Sequence, residues 1–270
     1  MTLTMGSLFA GIGGFDLAAR WMGWRTAWVS EIDPFACQVL ARHFPDAPNH
    51  GDITQIDFTT VEPVDVLVGG FPCQDISHAG AQAGIEGERS GLWFEYARAI
   101  RELRPRYVVV ENVRALVDRG LDRVLGSLAD IGYDAEWGCF KAADVGAPHR
   151  RDRLWLLAYP QRTGLEGYGR TAHDTAGRPQ PARSVAAHGV SRGTHPTAWG
   201  AAQPSVGVSA HGVPRGVAVA AWEQGLPRVI PHVEQYRQQL TALGNAIVPQ
   251  CALVVFREIA ARDSFVLEDR

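Results

Sequence analysis

Short runs that are apolar at every position, Val66-Leu67-Val68 and Tyr107-Val108-Val109-Val110, are each bounded by Gly, Pro or charge and alternate along the chain with segments of helical period. A strand with one wet face alternates apolar and polar residues. A strand covered on both faces is apolar throughout, which is the habit of parallel sheets flanked by helices. On this reading strands lie at 4–9, 26–31, 65–69, 107–111, 136–141 and 153–159, and helices around 15–22, 34–43, 91–103 and 114–130, with a last helix at 246–262. The βαβα rhythm predicts an α/β fold built on a mostly parallel sheet with helices on both sides. Ligands of such sheets bind beyond the carboxyl ends of the strands.

The chain is 270 residues with a net charge of −3, and 46% of it is hydrophobic, enough for one sizeable core and too much for wholesale disorder. No apolar run approaches the roughly 18–20 residues of a membrane span, and Met1-Thr2-Leu3-Thr4 begins no signal peptide, so a cytoplasmic protein is expected. Cys37, Cys73, Cys139 and Cys251 are widely spaced with no C-x-x-C pair, which suggests neither a disulfide framework nor a metal site. The charge is unevenly divided. Residues 1–140 carry 11 arginines against 19 acids, whereas residues 141–270 carry 15 cations against 10 acids, and all cations but Lys141 are arginine. Arginine is the side chain that best pairs with phosphate.

Texture and pattern divide the chain into three: an α/β region over 1–159, a small loop-rich region over 160–240, and a C-terminal segment over 241–270 that carries the last helix. The middle region is rich in Gly, Ala, Ser, Thr, Pro, His and Arg. It holds a near-repeat, Ala187–Gly193 and Ala210–Gly216.

Chemistry concentrates where strands end. Ser7-Leu8-Phe9-Ala10-Gly11-Ile12-Gly13-Gly14-Phe15 takes a strand through a glycine-rich turn into a helix, and Glu31 comes at the end of the next strand, the place where an acid accepts ribose hydroxyls in nucleotide-binding folds. Asp16 occupies the position of the third glycine of the dinucleotide fingerprint. Asp52, in Gly51-Asp52-Ile53, is a third acid after a patterned stretch, and by itself reads as a turn residue. Gly69-Gly70-Phe71-Pro72-Cys73-Gln74 places a cysteine just beyond a strand end, where the backbone is shaped to expose it, so a nucleophile stands beside the ordinary reading of a small buried hydrophobe. Glu111-Asn112-Val113 ends the next strand. Taken alone, Asn112 caps a helix and Glu111 is a solvated neighbour. Taken with an adjacent parallel strand, Glu111 and Cys73 share one crevice.

In this order, Phe9-Ala10-Gly11-x-Gly13-Gly14-Phe15, Glu31-x-Asp33, Gly51-Asp52-Ile53, Pro72-Cys73-Gln74, Glu111-Asn112-Val113, Arg150-Arg151-Asp152-Arg153 and Gly244-Asn245 resemble the C5-cytosine DNA methyltransferases. The resemblance covers residues 5–159 and resumes at about 240–256. It implies a Rossmann-like S-adenosylmethionine-dependent methyltransferase fold, with a catalytic and cofactor-binding domain over 1–159, a small irregular target-recognition region over 160–240, and a C-terminal helix within 241–270 that returns to the catalytic domain. For the cofactor it implies Phe9, Gly11, Gly13, Glu31, Ile32, Asp52, Ile53, Leu92 and Asn245. For catalysis it implies Cys73, Glu111, Arg151 and Arg153, and for DNA contact Gln74, Ser77 and Arg89. The implied reaction adds the Cys73 thiolate to C6 of a flipped-out cytosine, which makes C5 enamine-like so that it can take the methyl group. Glu111 assists at N3, and loss of the C5 proton releases the enzyme. Double-stranded DNA is the implied partner, with a cognate restriction endonuclease acting separately. No membrane is implied, and the protein is expected to be monomeric.

The sequence departs from the pattern in two places. His149 stands where the family commonly has Gln, and no clear match exists to the Arg-containing motif that usually comes after the recognition region. Across 160–230 there are seven arginines against three acids, a composition that favours phosphate contact. A tRNA-cytosine methyltransferase and a non-catalytic DNA-binding relative are the alternatives. A nucleotide-dependent oxidoreductase would account for the glycine turn and Glu31 but not for Pro72-Cys73-Gln74 or Glu111-Asn112-Val113.

Overall fold

A computed structural model describes residues 2–72, 91–161 and 236–268. Cys73, Gln74, Ser77 and Arg89, the near-repeat, and nearly all of the 160–240 region lie outside the described residues.

Six strands form one sheet: β1 (Thr4–Leu8), β2 (Arg25–Ser30), β3 (Val66–Gly69), β4 (Tyr107–Val113), β5 (Tyr133–Lys141) and β6 (Asp152–Pro160). Their order is β2-β1-β3-β4-β6-β5. Pairings β1–β2, β1–β3 and β3–β4 are parallel, and β6 is antiparallel to both β4 and β5. Only β6 therefore runs against the others, and the sheet is mostly parallel as expected. The reversal matters for function. Arg153 stands at the start of β6, yet Val113 at the end of β4 is its register partner, so the arginines reach the carboxyl edge from a strand's amino end.

The apolar runs are covered on both faces. Leu67, Val108, Val110, Leu154 and Leu156 pack on α3 (Leu92–Leu103) and α5 (Leu121–Ile131), while Val66, Val68, Val109, Trp155 and Leu157 pack on α1 (Gly14–Trp21) and α7 (Pro249–Glu268). Alternate residues of one strand enter opposite cores, as the period of two requires. α2 (Pro34–His43) starts at Asp33, whose carboxylate accepts from Ala36 N, with Pro34 as its first residue. Both are standard helix-start devices.

Two helical expectations are corrected. The stretch 114–130 is interrupted at Gly120 (φ 146°), which separates the short α4 (Leu116–Arg119) from α5. The last helix is preceded by another, α6 (Tyr236–Asn245), and the break between them falls at Ala246–Val248. Together they correct the hydropathy expectation as well, since among the described residues Gln238–Asp263 is long and apolar enough to cross a membrane, with mean hydropathy 1.4. Its apolar residues Ala252, Val255, Phe256 and Ile259 are nevertheless fully buried, and Phe256 stacks between Phe15 and Trp24 at 6.1 and 4.7 Å. α7 is thus the core helix that returns to α1.

Candidate active site

The amino end of α1 and the ends of β2, β3 and β4 meet at one edge of the sheet. Phe9 and Gly11 have positive φ (52° and 56°), and among the described residues a Cβ on Gly11 would meet nothing within 4 Å, so the turn is open there. Glu31 closes this turn from the neighbouring strand. Its carboxylate accepts from Gly11 N at 2.7 Å through one oxygen, and from Ile32 N and Asp33 N at 2.8 Å each through the other. A carboxylate has about four lone-pair positions. Three are filled from within the chain, which leaves one on the oxygen facing Gly11.

Beside this acid Ile32 is 69% exposed, a large apolar side chain with no cover from the described residues. Asp52 is exposed and caps a short turn of helix, accepting from Thr54 N and Thr54 Oγ1 at 2.9 Å, while Ile53 is buried beneath it. Phe9 is half-buried with its ring 6.4 Å from that of Tyr96, and Leu92 packs partly buried at the start of α3. An open turn, an acid with acceptor capacity and an exposed apolar side chain suit a nucleoside, so the residues present fit S-adenosylmethionine. At Gly13 a Cβ would run into Leu40 and Phe44, so the turn packs there against α2 and the phenylalanine ring just beyond that helix.

The second half of the site is built on β4. Glu111 is 7% exposed, not the solvated neighbour that its sequence context allows. It pairs with Arg153, whose Nε lies 3.0 Å from Glu111 Oε1. The pair is a consequence of register. Trp155 faces Glu111 and Arg153 faces Val113, which makes Glu111 and Arg153 diagonal neighbours on one face. Burial pushes the Glu111 carboxyl above its ordinary range, and the Arg153 and Arg151 guanidiniums pull it part of the way back. Asn112 does not cap a helix. Its Nδ2 donates to Phe71 O at 3.1 Å, tying β4 to the segment that leads into Pro72 and Cys73.

Beyond Asn245, which the resemblance implies, the C-terminal segment makes contacts at the site that sequence reasoning missed. Arg151, in a left-handed conformation (φ 30°), donates from Nη1 to Gly244 O at 2.6 Å and so ties the β6 arginines to the residue before Asn245. Asn245 itself is exposed at the end of α6. A Cβ on Gly70 would lie 3.1 Å from Glu111 Oε2 and 3.4 Å from Ile247 Cδ1, so the missing side chain makes room for both the acid and Ile247. The glycine pair before Pro72 is the only sequence signal for this close approach.

A mostly parallel six-stranded sheet flanked by helices, with a glycine turn and an acid at its carboxyl edge, defines the class, the Rossmann-like methyltransferases. The solved structure of the S. pombe Dnmt2 methyltransferase shares this fold with a TM-score of 0.51 and 21% identity, over 61% of this chain and 53% of that one. More narrowly, the chain belongs to the C-5 cytosine-specific DNA methylase family, whose sequence model matches residues 3–188. It is 40% identical over 161 residues to the type II methyltransferase M1.ScrFI of Lactococcus lactis subsp. cremoris, covering 58% of this chain and 41% of that protein. It is 35% identical over 165 residues to M.HhaI of Haemophilus parahaemolyticus, covering 60% and 50%. The chain thus spans half or less of the length of these curated relatives.

Proposed function

We propose that the chain transfers a methyl group from S-adenosylmethionine to C5 of cytosine in double-stranded DNA. The observation that carries this reading is Glu111, buried, raised in pKa and paired with Arg153 on a strand end that Asn112 fastens to the backbone of Phe71, two residues before Cys73.

When bound, S-adenosylmethionine would supply an electrophilic methyl group. The chain's part is to hold it and to make cytosine C5 nucleophilic. Glu31, Ile32, the Gly11 turn and Asp52 would hold the nucleoside, with Asn245 reaching in from the C-terminal segment. Cys73 would add to C6 of the flipped base, and Glu111 would donate a proton or hydrogen bond at N3 as charge builds there. A carboxyl whose pKa burial raises is better suited to that donation than an exposed one. Arg153 would hold Glu111 in place and meet the base. The thiols of Cys37, Cys139 and Cys251 are all raised by burial, Cys251 up to about 12, so none of these three is an activated nucleophile. The arginine-rich residues 160–230 would contact phosphate, together with Gln74, Ser77 and Arg89. A cytoplasmic setting, a monomeric state and a separately acting restriction endonuclease belong to the same reading.

The test incubates the chain with labelled S-adenosylmethionine and, separately, mixed-sequence DNA and tRNA, alongside Cys73→Ser. Label on DNA with the parent and none with the variant is expected. Label on tRNA alone would replace the substrate, and equal labelling by both proteins would remove Cys73 from the mechanism.

A further inference from the structure

We infer that Asn49 is a positioning residue for the nucleoside site, an inference that rests on the cofactor reading above. Asn49 contacts neither the glycine turn nor the catalytic acid. It joins the two acidic segments of the site, the end of β2 and the Gly51-Asp52 turn.

Its amide uses its whole hydrogen-bonding capacity within the chain. Oδ1 accepts from Glu31 N and from Gly51 N, each at 3.0 Å. Nδ2 donates to Glu31 O at 3.0 Å and to Cys37 Sγ at 3.2 Å. The Glu31 peptide groups are thereby gripped on both sides by one side chain. The same oxygen fixes Gly51, which has φ 72° and whose carbonyl accepts from Ser30 Oγ at 2.7 Å.

This grip goes beyond holding the segment in place. Residues 48–50 already run beside β2 through Val29 N to Pro48 O and His50 N to Val29 O, both 2.9 Å. Backbone pairing therefore docks the segment, and the exposed Asn49 side chain adds the relative setting of two ligand-facing groups. The chain from Asn49 runs through Glu31 to Gly11 N, so the ribose-facing acid, the glycine turn and the Asp52 turn are set by one connected network. Such a residue acts on the free lone pair of Glu31 without touching the ligand.

The experiment titrates the full chain, by calorimetry, with S-adenosylhomocysteine and with its analogue lacking both ribose hydroxyls. The parent is expected to favour the hydroxylated ligand by about tenfold or more, the size of a hydrogen bond to a charged acceptor. Asn49→Ala is expected to weaken S-adenosylhomocysteine by a similar factor and to leave the dihydroxyl-free analogue nearly unchanged, so that the preference collapses. Asn49→Asp, which keeps the two acceptor contacts, is expected to fall between. Equal weakening of both ligands, or an unchanged preference, would overturn the assignment. A second readout needs no ligand: amide exchange at Glu31 and Gly51 should accelerate in Asn49→Ala while the unfolding midpoint barely moves. Unchanged exchange at both amides would also overturn it. A parent chain that binds neither ligand refutes the cofactor reading and this role with it, whereas loss confined to the variants leaves that reading standing.

Discussion

Arg153 Nε lies 3.0 Å from Glu111 Oε1, and the contact exists because β6 runs antiparallel to β4, bringing the amino end of one strand to the carboxyl end of the other. A charge-assisted contact between diagonal strand neighbours needs no loop to place it. It opposes the rise in pKa that burial imposes on the acid, and it fixes the acid's position.

Removing the acid should therefore damage chemistry and spare cofactor binding. Glu111→Gln keeps the volume and loses the proton donor. Methyl transfer is expected to fall roughly 10²–10⁴-fold, the usual range for a lost acid or base. The dissociation constant for S-adenosylhomocysteine should stay within about twofold, because Glu111 lies outside the nucleoside contacts. Single-turnover rates and calorimetry measure the two effects separately.

Removing the arginine should raise the pKa of the acid further. Burial lifts the Glu111 carboxyl and Arg153 opposes that lift, so Arg153→Ala leaves burial less opposed. The side-chain carboxyl resonance of Glu111 in carbon NMR is expected to titrate at higher pH in the variant than in the parent. That direction also fixes the sign for stability. A carboxyl raised in the fold favours folding while protonated and loses that contribution as pH rises through its folded pKa. The variant should therefore lose stability relative to the parent as pH increases through the Glu111 transition.

Gly70→Ala tests the space the acid occupies. The added methyl would sit 3.1 Å from Glu111 Oε2 and 3.4 Å from Ile247 Cδ1. A small overpacking cost of about 1 kcal/mol in unfolding free energy is expected, with a larger fractional loss of transfer rate as the carboxylate is displaced.

Asp16 gives a pH dependence of a different origin. It is fully buried in the first turn of α1, accepting from Ser7 Oγ at 3.2 Å and Thr26 Oγ1 at 3.1 Å, and burial raises its carboxyl from 3.8 to about 6. The protonated form fits the fold better than the ionised one. Its contribution is full below pH 3.8, declines as pH rises towards 6 and is gone above that, a difference of about 3 kcal/mol. Asp16→Asn should cancel this slope. Denaturant midpoints of the two proteins between pH 4 and 7 should diverge in favour of the variant as pH rises.

The features legible in the residues, and those that are not, divide on physical grounds. Fully apolar runs such as Val66-Leu67-Val68 announce a two-faced strand, and β1 to β6 all lie near their expected places. Glu31 is legible because an acid at a strand end after a glycine turn is a local pattern. Asn49 is not, because its role depends on pairing with β2 from 18 residues away, and an Asn two residues before a Gly looks like any turn. Ile247 and the Gly244 carbonyl are hidden for the same reason, since only the return of α7 onto α1 brings them to Gly70 and Arg151. α6 is hidden because Tyr236–Asn245 offers few apolar positions to mark a buried face. Asp16 shows in the sequence only as a missing glycine, whereas its burial beneath Ser7 and Thr26 is a tertiary fact.

Covalent trapping tests the central claim most directly. Duplex DNA carrying 5-fluorocytosine is incubated with the chain and S-adenosylmethionine, and the products are resolved by denaturing electrophoresis and peptide mass spectrometry. Fluorine cannot leave as the C5 proton does, so a stable protein–DNA adduct through Cys73 is predicted, absent in Cys73→Ser and strongly reduced in Glu111→Gln. An adduct that persists in Cys73→Ser, or no adduct under conditions where the parent methylates ordinary DNA, would contradict the account.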